Sequence, residues 1–251
     1  MSKSDIIVLA ILFGGVFFSI RWKKLTVPAA LTGAVLGWTI YAGGGFTGLA
    51  MMTVFFILGT AATSWKKALK QSIRGNAAHE STRTAAQVIA NAGVAAISGL
   101  LIVIYPTHRS VLLMAMAGSL SAAAADTLAS ELGMVYGRRF YHILTGRPDE
   151  KGLDGVISLE GLLIGAGAAA VIALVYILGL YAQGQGRNLL PHLRVFLLLI
   201  LSGTLGNLTD SVLGAALERK GRLSNDAVNF CSTLVAALAA GALAITFGVF
   251  G

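Results

Sequence analysis

The sequence predicts an all-α fold: a polytopic transmembrane bundle of about eight spans, seven at the fewest, with both termini on the non-cytoplasmic side. Three observations carry this expectation. Of the 251 residues 56% are hydrophobic and only 12% charged, half the share of about 25% found in soluble domains. Apolar segments recur at about the twenty residues that a bilayer requires at helical rise. The Lys and Arg residues fall almost entirely into alternate loops.

The apolar segments run at 6–20, 27–42, 46–63, 85–105, 109–135, 156–181, 194–217 and 225–250. The first is short and follows Lys3. No small-residue cleavage site precedes Arg21-Trp22-Lys23-Lys24, so it reads as a span rather than a removable secretory signal. Only Gly43-Gly44-Gly45 separates the second segment from the third. No Pro- or Ser-rich linker divides the chain, and residues 1–251 read as a single integral-membrane domain. Gly33 with Gly37, Gly161 with Gly165, and Gly203 with Gly206 are expected to pack helices, because close backbone approach replaces the hydrophobic drive that lipid removes.

With the N-terminus outside, fifteen of the nineteen basic residues occupy one set of loops, near 21–24, 66–83, 138–151 and 219–222. Lys3, Arg109, Arg187 and Arg194 take the other side. That is a positive-inside pattern and makes the four basic loops cytoplasmic. It also explains the net charge of +8 without nucleic acid, which would call for aromatic residues interleaved to stack bases. The composition excludes a disordered chain and a collagen. A lone cysteine, Cys231 in an apolar run, excludes a disulfide framework and a Cys-rich metal site and reads as a small hydrophobe.

Charge within a span costs about 2.5–3.5 kcal/mol on insertion scales, so intramembrane carboxylates are functional candidates. Asp126 and Glu131 lie in the fifth segment, Glu160 opens the sixth, Asp210 lies in the seventh and Asp226 opens the eighth. Given the direction of each span, all five fall in the cytoplasmic half. Neutral polar residues share the pattern at helical spacing: Thr84, Gln87, Asn91 and Ser98; Asn207, Asp210, Ser211 and Gly214; Asn225, Asn229 and Ser232, with Ser224 as an N-cap. Asp126 shares a face with Ser130 and Gly133, whereas Glu131 points elsewhere. Isolated Ser and Asn residues in such helices are as well explained by helix–helix hydrogen bonds. Two acids in lipid are not.

Paired carboxylates with Asn and Gln amides offer the hard oxygen ligands that suit Mg²⁺, an ion usually completed by substrate phosphates. His79, His108, His142 and His192 are scattered over loops and span ends and offer no zinc spacing. Lys151-Gly152-Leu153-Asp154-Gly155-Val156-Ile157-Ser158 leads from a charged loop into a helix start, where free N–H groups and the helix dipole favour an anion. Together with the acidic residues and the basic loops at Arg138, Arg139, Arg219, Lys220 and Arg222, these are the parts of a phosphoryl-transfer site.

Several stretches resemble a known family: Arg83-Thr84-Ala85-Ala86-Gln87-Val88-Ile89-Ala90-Asn91, Ala125-Asp126-Thr127-Leu128-Ala129-Ser130-Glu131-Leu132-Gly133, Gly206-Asn207-Leu208-Thr209-Asp210-Ser211-Val212-Leu213-Gly214-Ala215 and Leu223-Ser224-Asn225-Asp226-Ala227-Val228-Asn229-Phe230. They look like the integral-membrane family of transmembrane protein 19, which includes the plant phytyl-phosphate kinase, and the likeness runs from about residue 24 onward. More loosely the motifs are similar to those of dolichol and phytol kinases. The resemblance implies transfer of a phosphoryl group from a nucleoside triphosphate, CTP foremost, to an isoprenoid monophosphate such as phytyl or geranylgeranyl phosphate. It implies Asp126 and Asp210 at Mg²⁺ and phosphate, with Glu131 as a third metal candidate. Lys151 acts with them, and Arg83, Lys151, Gly152, Gly155, Ser158, Arg219 and Lys220 hold nucleotide and phosphates. Gln87, Asn91, Ser130, Asn207, Ser211, Asn225 and Asn229 form a polar cup. Leu153-Asp154 departs from the Thr and small polar residue that many relatives carry. Hydropathy and the distribution of charge predict a protein of the cell membrane, among lipids, with its site facing the cytoplasm. The competing reading is a proton- or cation-coupled transporter or lipid flippase that uses the intramembrane aspartates.

Overall fold

A computed structural model describes residues 2–74, 82–184 and 189–249. Among these, seven helices are long and apolar enough to cross a bilayer. They are α1 (Lys3–Arg21), α2 (Val27–Ser64), α4 (Ala85–Ile104), α5 (Arg109–Tyr136), α6 (Leu159–Ala182), α7 (Leu189–Leu213, continued by a π-helical turn over Gly214–Glu218) and α8 (Asn225–Thr246). A short helix, α3 (Lys67–Arg74), and a two-residue antiparallel pair, β1 (Tyr141–His142) with β2 (Val156–Ile157), occupy loops. His79 and Arg187 lie outside the described residues.

The 38-residue α2 is two spans in one. Gly45 interrupts it at φ 63° and ψ −157°, a region open essentially to glycine alone. Beyond that residue the chain reverses. A Cβ on Gly48 would lie 3.0 Å from the Ile40 side chain and one on Gly37 would lie 3.6 Å from Met52. The Lys24 ammonium donates to the Ser64 hydroxyl at 2.9 Å, from one end of the hairpin to the other. Arms 27–44 and 46–64 therefore cross in opposite directions, giving the eight passes that hydropathy alone suggests. The Arg109 guanidinium donates to the Gly43 carbonyl at 2.6 Å, satisfying an acceptor that the reversal leaves without a helical partner. We expect Gly45→Ala to lower stability by about 1–3 kcal/mol through backbone conformation alone, since no atom lies within 4 Å of the added Cβ. Thermal unfolding of the two proteins in one detergent checks this, and an unchanged midpoint would refute it.

Helix starts carry their own caps. Thr84 and Gln87 form a capping box on α4, and the Thr26, Ser158 and Ser224 hydroxyls accept from the backbones of Ala29, Gly161 and Ala227. At the C-terminus of α1, Lys23 adopts φ 52° while its N–H and that of Lys24 reach back to Ile20 and Ser19. This is a Schellman closure with lysine at the left-handed position where glycine is usual, at a cost of about 1–2 kcal/mol.

α5 is the axis of the bundle and packs against α2, α4, α6, α7 and α8. Its buried face is a run of small residues through Ser119, Ser121 and Ala122–Ala125, which lets neighbours come close. Gly165, Gly203 and Gly206 approach atoms of α5 so nearly that an added Cβ would sit 2.4 to 2.9 Å away. Gly43 and Gly99 make the tightest crossing, backbone on backbone, at 2.1 Å from such a Cβ. Gly33 differs from its expected role: its nearest neighbour would be 3.9 Å away. His192 and Arg194, expected at a loop and a span end, lie inside α7, with His192 stacked on Tyr181.

The loops at residues 21–26, 64–74, 82–84, 137–158 and 219–224 share one end of the bundle. The α2 reversal, the α4–α5 junction and the start of α1 share the other. The basic loops are thus gathered at one end, and α3 lies there, packed against α5.

Candidate functional site

At the basic end, α4, α5, α7 and α8 open around a cavity of about 530 Å³, roofed by α3 and the loop 150–158. Asp126 on α5 faces Asp210 on α7, with the two carboxyl groups within hydrogen-bonding reach of each other. Asp210 Oδ2 is fully buried and has no hydrogen-bond partner among the described residues, and neither has the amide nitrogen of buried Asn207 one turn earlier. Two carboxylates that close repel each other unless a cation or a shared proton lies between them.

The lining is acidic in a basic protein. Asp126, Glu131, Glu150, Asp154, Asp210 and Glu218 face Lys67, Lys70, Arg83 and Lys151, although the chain carries a net charge of +8. This excess of carboxylate, together with the orphaned Asp210 oxygen, fits a hard divalent cation such as Mg²⁺, held by two carboxylates with phosphate oxygens and water completing its shell. Glu131 is not part of that pair. It is buried and bound by the Lys70 ammonium, which also donates to the carbonyls of Ala62 and Thr63 at 2.8 and 2.9 Å. Of the three expected metal side chains, Asp126 and Asp210 meet while Glu131 is engaged by Lys70, and no group of three His, Cys, Asp or Glu side chains suited to a metal occurs among the described residues. The 140° between Asp126 and Glu131 around α5 turns one toward α7 and the other toward α3.

Of the expected cup, Gln87, Asn91, Ser130, Asn207, Ser211, Asn225 and Asn229 all line the cavity. Several spend part of their hydrogen-bonding capacity within their own helices. Asn91 donates to the Gln87 carbonyl, Ser130 to Thr127, Ser211 to Asn207, and the Asn229 amide to Asn225. Arg83 and Lys151 line it as well. The Arg83 guanidinium lies over the Phe55 ring and against Gly59, with no hydrogen bond or ion pair to any described residue. Desolvation pulls its pKa down from the ordinary value, with Glu131 opposing.

Gly152, Gly155 and Ser158 line the cavity too, while their backbone and hydroxyl groups are also engaged in packing and capping. Gly152 and Gly155 are at φ 89° and 73°, and Gly155 presses against the π turn so tightly that a Cβ would fall 2.3 Å from Ala215. The Ser158 hydroxyl caps α6 instead of standing free. Arg219 and Lys220 are exposed and do not line the cavity. Arg219 forms a two-bonded ion pair with Asp149, at 2.6 and 3.4 Å. The guanidinium holds the Asp149 carboxyl below its ordinary value, so the clip persists at neutral pH and is lost only as acidification drives the pH down through that lowered value.

Five charged lining residues are not among the expected site residues: Lys67, Lys70, Glu150, Asp154 and Glu218. Glu218 comes from the π turn at the end of α7, a wide turn of the kind that recurs at functional sites.

A polytopic helical membrane protein with a half-buried carboxylate pair under a charged cavity is the class that fold and site define. The chain belongs to the family described as integral membrane protein DUF92, which it matches over residues 9–237. That agrees with the likeness of its motifs to the transmembrane protein 19 and phytyl-phosphate kinase group. It is 32% identical to the uncharacterized membrane protein MJ0933 of Methanocaldococcus jannaschii over 206 residues, covering 80% of this chain and 78% of that one. It is 30% identical to the uncharacterized membrane protein sll0875 of Synechocystis over 86% of this chain and 81% of that one. Protein VTE6, chloroplastic, of Arabidopsis thaliana is 28% identical over 81% of this chain and 59% of its own. No solved structure matches.

Proposed function

We propose that the protein is a phosphotransferase that moves the terminal phosphoryl group of a nucleoside triphosphate, with CTP the favoured donor, onto an isoprenoid monophosphate. The products are the isoprenoid diphosphate and the nucleoside diphosphate. The observation that carries this reading is the Asp126–Asp210 pair, with its unpartnered Asp210 oxygen, beneath an opening edged by Lys67, Arg83 and Lys151. The motif resemblance to phytyl-phosphate kinase supplies the substrate class. The excess of basic residues at this end favours a cytoplasmic orientation for the opening.

The acceptor is already a phosphate monoester, and its anionic oxygen attacks the terminal phosphorus as the bond to the leaving nucleoside diphosphate breaks. No strong general base is needed, and catalysis rests on positioning and charge neutralisation. Asp126 and Asp210 would hold Mg²⁺, which when bound offsets charge on the phosphates. Arg83 and Lys151 orient the phosphates, while the amide of Asn207 donates to an oxygen within the cup.

The test uses purified protein in detergent with labelled geranylgeranyl phosphate, Mg²⁺ and each nucleoside triphosphate in turn. We expect labelled diphosphate that depends on Mg²⁺ and favours one nucleotide. No diphosphate from any donor, across several prenyl phosphates and with folded protein, would sink the proposal.

A further inference from the structure

Beside the main cavity lies a second, smaller hollow of about 240 Å³ between the end of α1, the end of α2 and Arg83 in the approach to α4. Its charge is the reverse of its neighbour's. Lys23, Lys24, Lys67 and Arg83 line it, with the hydroxyls of Thr60 and Ser64, and no carboxylate is among its described lining residues. Thr63, Lys67 and Arg83 line both hollows and form the wall between them. At this volume it falls below the range of about 300–1,000 Å³ typical of whole-ligand sites, which suits a phosphate head and not a nucleotide.

Two further features point the same way. Lys23 occupies the left-handed position that closes α1, where glycine would be relaxed, and backbone strain of this kind concentrates at ligand sites. Trp22, 64% exposed and leaning on Phe18 with ring centroids 5.1 Å apart, sits at the rim as aromatics do at the lipid–water boundary. One turn deeper along the same helices are Ile20 and Phe56, partly buried and apolar. The hollow thus pairs a cationic head site, without a carboxylate among its described lining residues, with an apolar approach from the membrane.

We infer that this hollow binds the phosphomonoester head of the lipid substrate and presents it to the main cavity across Arg83, leaving that cavity to the metal and nucleotide. The inference rests on the phosphotransferase reading for the word substrate. The binding site itself is tested apart from turnover.

The full chain in nanodiscs of zwitterionic lipid is titrated with tritiated farnesyl phosphate, alongside Lys23→Gly, Lys24→Gln and, at the opposite end of the bundle, Lys3→Gln. Loss of one charged contact should weaken binding by about tenfold in the variants at Lys23 and Lys24, with Lys3→Gln binding as wild type. Lys23→Gly should melt no lower than wild type, since it relieves the strained position, so weaker binding there would not be misfolding. Farnesol and inorganic phosphate should each compete poorly. Wild-type affinity in the variants at both Lys23 and Lys24 would overturn the site. Equal competition by phosphatidylglycerol would mark it as an ordinary headgroup contact, and equal competition by inorganic phosphate would remove the lipid from it. If those two variants lose binding while no nucleotide ever yields diphosphate, the head site stands and the phosphotransferase reading falls. The converse result reverses that outcome.

Discussion

Asp210→Asn should insert and fold yet lose phosphoryl transfer by about a thousandfold, the scale seen when one preorganised electrostatic group is removed from a reacting centre. The side chains are nearly isosteric, so packing on α7 is preserved. What changes is charge, since Asp126 then faces an amide in place of a second carboxylate. Removing that repulsion should leave the melting temperature at or above that of wild type, which is common where a site is arranged for function at the expense of stability. Turnover within tenfold of wild type in the purified variant would end the case for Asp210. A drop in melting temperature matching the loss of activity would make the residue structural.

The largest effect on stability is expected at Lys70. Its ammonium is buried, donates to two carbonyls at the end of the second α2 arm and binds Glu131 on α5. Lys70→Met removes the cation and leaves the Glu131 charge without this partner, a change that costs about 3–5 kcal/mol when a buried pair is broken from one side. Adding Glu131→Gln should recover part of the loss, because neutralising both members removes the buried charge that Lys70 offsets. A double-mutant cycle by thermal unfolding in detergent measures the coupling. Additive effects of the two substitutions would show that the contact contributes nothing as a pair.

Those two residues also illustrate where the sequence could be read and where it could not. The spans were legible because a bilayer imposes length and composition on each pass, and the reversal of α2 was legible because only glycine accommodates Gly45's backbone. Asp126, Asp210 and the amides on α4, α7 and α8 stood out because each is costly in an apolar run. Lys70 did not stand out, since in a basic stretch a lysine looks like solvated charge. Its burial depends on Glu131, sixty-one positions away, and on α3, an eight-residue helix too short to leave a hydropathy signal. Arg219 and Lys220 were placed at the phosphates by proximity in sequence to the cup. The contact that turns Arg219 to Asp149 is one that spacing does not encode.

The wide turn over Gly214–Glu218 has a consequence for how this protein can vary. The Arg219 N–H donates to the Gly214 carbonyl five residues back, while the N–H groups of Gly221 and Arg222 donate to Glu218 and Leu217 in the closure that follows, so the turn holds one residue more than a regular α-helical path needs. Deleting a single residue there, such as Ala216, should let the segment relax to ordinary helix with Glu218 still on the cavity wall. The same deletion one turn earlier, in regular helix, would rotate everything beyond it by about 100° and carry Glu218 off the site.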